Sequence, residues 1–287
     1  MRPMEFHEPA TLDAAAALLA ADGEARCLAG GATLVAMMNA RLVEPSALVS
    51  LRRIEELRGI DAEGDGFCIG AMTPHRVTAA DGRLAGGHAV VREAAAVIAN
   101  PSVRNMGTMG GSIAFADPAA DYPPALVAIG AEIEIVARDG QRRIGAADFF
   151  TDWYETVLGP GELISAIHLP GAPAGAVGVY DKLARVEGDF ATASAAVVLA
   201  MAGDACSHLS IAVGGCGPTP LRLAEAESAL IGSGLDAEAV QRAGEMLAQA
   251  SDPVDDVRAS ADYRRLVIPR LVARAISRAI TGARAVL

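Results

Sequence analysis

Residues 103–126 read VRNMGTMGGSIAFADPAADYPPAL, three glycines set among hydroxyls and followed by aspartates and prolines. A loop that binds phosphate bares backbone N–H groups, keeps its side chains small and carries a hydroxyl or two. Gly107, Thr108, Gly110, Gly111 and Ser112 meet that description. A tight connection between two core elements asks for the same residue types, so both readings stay open on this stretch alone. Asp117 and Asp121 allow three roles: acid–base chemistry, capping of backbone groups, or, for Asp121, acceptance of a hydrogen bond from a sugar-like hydroxyl beside a phosphate cradle. Pro123 and Pro124 suit the first turn of a following helix.

A second glycine segment lies upstream, AGGATLVAMMNARL at residues 29–42. Thr11 is placed to cap a helix through about Ala21, with Asp13 in its first turn. A short strand around Arg26 to Ala29 then ends at Gly30 and Gly31, and the apolar residues after Thr33 suit a helix start. Two glycine segments in one half of a chain point to a long diphosphate ligand gripped from two sides. No G-x-G-x-x-G string stands between a strand and a helix, no P-loop is present, and no G-x-S-x-G elbow occurs, so the usual NAD, ATP, GTP and hydrolase signatures are missing.

The remaining first half alternates strand and helix signals: strands at 47–51 and 66–72, a helix at 84–99, then a helix end, a strand and a turn in ALVAIGAEIEIVARDGQRR. The Gly/Pro/Ala-rich connection at 170–178 predicts a domain boundary near residue 175. Beyond it, strands are expected at 178–185, 191–201 and 208–214, and helices at 222–231, 237–250 and 260–280, an arrangement of helices packed on one sheet face. The arginines of the last helix alternate with Leu266, Ile268, Leu271, Val272 and Ile276, which mark an apolar core-facing stripe rather than a nucleic-acid surface.

The 287 residues carry a formal charge of −11, which opposes general affinity for nucleic acid. The apolar run at 191–202 is shorter than the roughly 18–20 residues of a membrane span. The N-terminus lacks the basic start and cleavage site of a secretory signal, so a cytoplasmic protein is expected. Cys27, Cys68, Cys206 and Cys216 lie far apart with no C-x-x-C pair, and the histidines are equally scattered. No metal site and no catalytic side chain is read from them.

Several motifs, in order along nearly the whole chain, resemble one family: AGGATL at 29–34, VRNMGTMGGSIAFADPAADYPPAL, FFTDWYETVLGPGELISAIHLP, KLARVEGDFATA, GGCGPTPLRLAEAESAL and DVRASADYRRLVIPRLVARAI. The sequence resembles the FAD-binding medium subunit of molybdenum hydroxylases, the carbon monoxide dehydrogenase and xanthine dehydrogenase family. The resemblance implies an α+β fold, with a two-part PCMH-type FAD-binding domain at 1–175 and a smaller C-terminal domain at 176–287 of three strands and packed helices. It implies an oxidoreductase subunit whose FAD takes electrons from the 2Fe-2S clusters of a small partner and passes them to an external acceptor. A large molybdopterin subunit would complete the complex, as a dimer of heterotrimers.

Carried over position by position, the resemblance places backbone donors for the FAD pyrophosphate at Ala29, Gly30, Gly31, Ala32 and Thr33, with Leu34 closing the motif, and at Thr108, Met109, Gly110, Gly111 and Ser112. Asp121 falls at a position that binds a flavin-side hydroxyl, Leu163 and Ile164 at apolar cofactor contacts, and Ile98 at an adenine contact. Lys182 and Phe190 bracket a segment that in relatives lies near the isoalloxazine, although Lys182 also reads as a solvated strand-end charge. Ala32 departs from the family, where a polar residue often follows the two glycines. Two other functions stay open: a self-contained flavin oxidase, and a noncatalytic assembly protein that retains the fold.

Overall fold

The computed structural model describes residues 4–286. The chain begins with β1 (Glu5–His7), α1 (Leu12–Ala21), β2 (Arg26–Leu28), α2 (Leu34–Asn39) and β3 (Ala47–Ser50), whose strands form a small parallel sheet in the order β1-β3-β2. Thr11 caps α1, its hydroxyl accepting the Ala14 N–H at 3.2 Å. Next come β4 (Ile60–Glu63), β5 (Gly66–Gly70), α3 (His75–Ala80), α4 (Ala89–Ala96), α5 (Pro101–Met106), α6 (Met109–Phe115) and α7 (Tyr122–Ile129). The half closes with β6 (Glu132–Ala137), β7 (Gly140–Gly145), α8 (Ala146–Phe149), β8 (Phe150–Asp152), β9 (Glu155–Thr156) and β10 (Leu163–Leu169). Its second sheet is antiparallel, in the order β4-β5-β10-β6-β7.

The second half holds β11 (Val177–Leu183), β12 (Ala193–Ala202), β13 (Ala205–Gly214), the two-residue β14 (Leu221–Arg222), α9 (Ala224–Ser228), α10 (Ala237–Ala250) and α11 (Ala261–Val286). Three long antiparallel strands and a short fourth lie in sequence order. Along β12 successive side chains face opposite ways. Ala193, Ala195, Val197 and Leu199 pack with α10 and α11, while Ala196, Val198 and Ala200 join the core of the first half. Helices therefore cover both faces of this sheet, its own on one side and α4 and α7 on the other. That explains the unbroken apolar run at 195–202, since a strand buried on both faces does not alternate.

Two local expectations change. The helix anticipated at 84–99 is broken: one 3₁₀ turn at Gly86–His88 leads into α4, and the chain turns at Ala99 with φ +42°. The glycine stretch at 103–126 is mostly helix. Asn100 caps α5 and Thr108 caps α6, so Gly110 and Gly111 occupy the first turn of a helix rather than an open loop. Pro123 and Pro124 do start the core helix α7, which is buried along its full length. No helix among the described residues is long and apolar enough to cross a membrane.

Candidate functional site

A cavity of about 660 Å³ opens where the two glycine segments meet, within the roughly 300–1,000 Å³ of ligand-binding clefts. One wall is Ala29, Gly30, Gly31, Ala32, Thr33 and Leu34, and the facing wall is Thr108, Gly110, Gly111 and Ser112. Ile98, Asp121, Leu163 and Ile164 complete the lining. Of the residues singled out in the sequence, Met109 and Lys182 do not line it. Met109 is fully buried in the core, and Lys182 is engaged behind the wall.

The two walls differ in what they offer a ligand. On the second, the Met109 N–H donates to the Thr73 carbonyl at 3.0 Å, the Gly110 N–H to Ala71 at 2.9 Å and the Ser112 N–H to Thr108 at 3.0 Å. The Gly111 N–H is taken by its capping hydroxyl, Thr108 Oγ1, at 3.1 Å. The glycines here serve close packing: a Cβ on Gly110 would stand 2.6 Å from the Ala71 Cβ, and one on Gly107 2.5 Å from His75 Nε2. Donors expected from Met109, Gly110, Gly111 and Ser112 are thus already used within the fold.

On the first wall, no acceptor among the described residues takes the amide hydrogens of Gly30, Gly31, Ala32, Thr33 or Leu34. Gly31 makes the turn with φ +76°, a left-handed conformation that favours glycine. Consecutive N–H groups without acceptors at a cavity wall form a donor set for an anion. Among the described residues, Arg26 is the one arginine or lysine on the lining, and its guanidinium donates to the Gly23 and Ala25 carbonyls. Phosphate charge in this cavity would be met chiefly by backbone dipoles.

Asp121 is a buried residue of the lining. Its Oδ1 accepts the Tyr180 hydroxyl at 2.8 Å and lies 2.9 Å from Lys182 Nζ, while no protein donor among the described residues reaches Oδ2. Burial pushes its carboxyl above the ordinary range against the pull of Lys182 and Tyr180. The Lys182 side chain is only 9% exposed, so the reading of a solvated strand-end charge is corrected.

Of the other lining residues, Asp117 and Phe190 were singled out in the sequence, whereas His75 carried no signal there. His75 sits behind the Gly107 turn, its Nδ1 3.3 Å from the Tyr122 hydroxyl, and burial pushes its imidazole down to about 4. Asp117 is also buried, accepts the Ala119 N–H at 2.9 Å, and is pushed upward by burial. Cys27 lines the cavity, half-buried, and burial pushes its thiol up to about 12, which disfavours the thiolate. Phe190 lies on the lining and is 42% exposed.

The cavity suits FAD on three grounds: its size, a row of untaken N–H groups for a diphosphate, and a buried carboxylate with one oxygen spare for a hydroxyl. Residues 2–172 match the family described as the FAD binding domain in molybdopterin dehydrogenase, and residues 178–279 match the CO dehydrogenase flavoprotein C-terminal domain. The carbon monoxide dehydrogenase medium chain of Afipia carboxidovorans is 40% identical over 276 residues, 96% of each chain. The nicotine 6-hydroxylase medium subunit of Paenarthrobacter nicotinovorans is 34% identical over 281 residues, 98% of each. Among solved structures, a chain of the Cu,Mo-CO dehydrogenase superposes with a TM-score of 0.94 at 39% identity, covering 98% of this chain and 100% of that one.

Proposed function

Because this chain belongs to the flavoprotein-subunit family of the molybdopterin dehydrogenases, with FAD as its cofactor, we propose that it is the electron-transfer subunit of a cytoplasmic molybdenum hydroxylase. When bound, FAD supplies the redox chemistry between the 2Fe-2S clusters of a small partner and an external acceptor. The large partner, carrying molybdopterin, would oxidise the organic or CO substrate, and two heterotrimers would pair.

The chain's own residues place and tune the cofactor. The amide hydrogens of Gly30 to Leu34 would hold the pyrophosphate, with Ala29 beside them. Thr108, Gly110 and Gly111 shape the facing wall, and the Ser112 hydroxyl is left to reach the ligand. Asp121 Oδ2 would accept a hydroxyl of the cofactor, and Ile98, Leu163 and Ile164 supply apolar wall. Met109 acts as a core residue beneath this wall. The single observation that carries the reading is the run of N–H groups without acceptors on the wall of a dinucleotide-sized cavity.

Expression of the chain alone, with flavin absorbance recorded after purification and after incubation with FAD, tests the reading. Uptake of FAD, followed by bleaching on mixing with a reduced 2Fe-2S partner subunit, is expected. Failure to take up FAD favours an assembly protein, and turnover of a substrate without partners favours a self-contained oxidase.

A further inference from the structure

Lys182 is the place where three parts of the molecule that are distant in sequence meet. Its side chain stands on β11 in the C-terminal half. Nζ donates to the Val97 carbonyl at 2.9 Å, at the end of α4, and to the Asp189 carbonyl at 3.0 Å, in the turn between β11 and β12. The third direction faces Asp121 Oδ1 at 2.9 Å. An ammonium has three donors, and each has an oxygen here. Burying a lysine is costly unless it is paired in this way.

The segments it joins are walls of the cavity. Ile98 and Ala99 follow Val97 on the lining, and Gly188, Asp189 and Phe190 line it from the turn. The fit between them leaves no slack, because a Cβ on Gly188, at φ +80°, would stand 2.5 Å from the Ala99 carbonyl oxygen. Phe190 is further covered by the Arg258 guanidinium, 5.2 Å above its ring. Lys182 itself does not reach the cavity.

We propose that Lys182 is a positioning residue, fastening the 184–192 turn onto the N-terminal half and holding the Asp121 carboxylate with its spare oxygen available to the cofactor. This rests on the reading of the cavity as the FAD site. The groups facing Asp121 are Lys182 and Tyr180 from β11, Asp117 from the preceding turn and the Tyr122 phenol from α7. Lys182 is the one cation among them. Its removal leaves Asp121 in a buried site with a second carboxylate and no positive charge, which favours the protonated form. An ionised carboxylate is the stronger acceptor of a hydroxyl, so cofactor affinity then falls as the pH falls.

The test uses the full chain with Lys182→Met, Asp121→Asn and the double variant. In FAD-free protein, trypsin cleavage at Arg185, inside the turn, is expected to be about tenfold faster in Lys182→Met and near wild type in Asp121→Asn, which keeps both carbonyl bonds. In FAD titrations, Lys182→Met is expected to lose about tenfold in affinity between about pH 8 and pH 6, while the double variant shows no such slope. Cleavage and affinity unchanged in Lys182→Met at every pH would overturn the proposal. If Lys182→Met does not fold, Asp121→Asn decides: a turn that becomes sensitive to trypsin there contradicts fastening through the two carbonyls, and a protected turn supports it. A wild-type chain that takes up no FAD sinks the functional reading, and the trypsin comparison still decides whether Lys182 fastens the turn.

Discussion

A Cβ placed on Gly30 would stand 1.9 Å from the carbonyl oxygen of Met106, so the two glycine segments touch each other directly at that point. The contact keeps the first wall against the second, and the N–H groups of that first wall have no acceptor among the described residues.

Gly30→Ala is therefore expected to destabilise the fold by about 3 kcal/mol, since the obstacle is backbone that cannot rotate away. Gly110→Ala meets Ala71 and is expected to behave similarly. Urea unfolding of FAD-free protein measures both. A loss of FAD binding in either variant would report packing rather than phosphate contact, so neither is a clean probe of the cradle.

Thr108 is 3% exposed and caps α6 through the Gly111 N–H. Thr108→Ala is expected to cost about 1 kcal/mol. Thr108→Ser retains the hydroxyl and should recover most of that loss, as read from the same unfolding curves.

His75 carries a pH-dependent cost. Its folded pKa, about 4, lies below the ordinary 6.5. Between those values the unfolded chain binds more protons, so the stability associated with neutral His75 is fully present above about pH 6.5 and is lost as the pH falls toward 4. The expected loss is about 3 kcal/mol for a fully depressed group. Comparing His75→Gln with wild type at pH 7 and at pH 4.5 isolates it: the variant should lose less stability on acidification, and equal losses would contradict the assignment.

Much of this was legible in the amino-acid order. Gly30 and Gly31 at the end of a strand and before a helix mark a donor site that depends on local chain direction alone. The two-faced burial of β12 is written in its apolar run from Ala195 to Ala202. The second segment misleads because its N–H groups are taken by Thr73 and Ala71, partners brought in by tertiary packing that no local pattern announces. The pairing of Lys182 with Asp121 has the same origin, which is why a buried clamp reads in sequence as a surface charge. His75 is a lone histidine after a proline, and only the fold places it behind Gly107.

The central claim is that the row of N–H groups at Gly30 to Leu34 holds the diphosphate of FAD. Ala32→Asp tests it most directly: it introduces a carboxylate among those donors, where it satisfies them from within and repels phosphate, while the Ala32 side chain lines the cavity rather than the core. Equilibrium FAD titration, with urea unfolding as the control, should show binding weakened by about 100-fold or more at unchanged or higher stability of the FAD-free chain. An Ala32→Asp protein that folds normally and binds FAD as tightly as wild type would contradict the account.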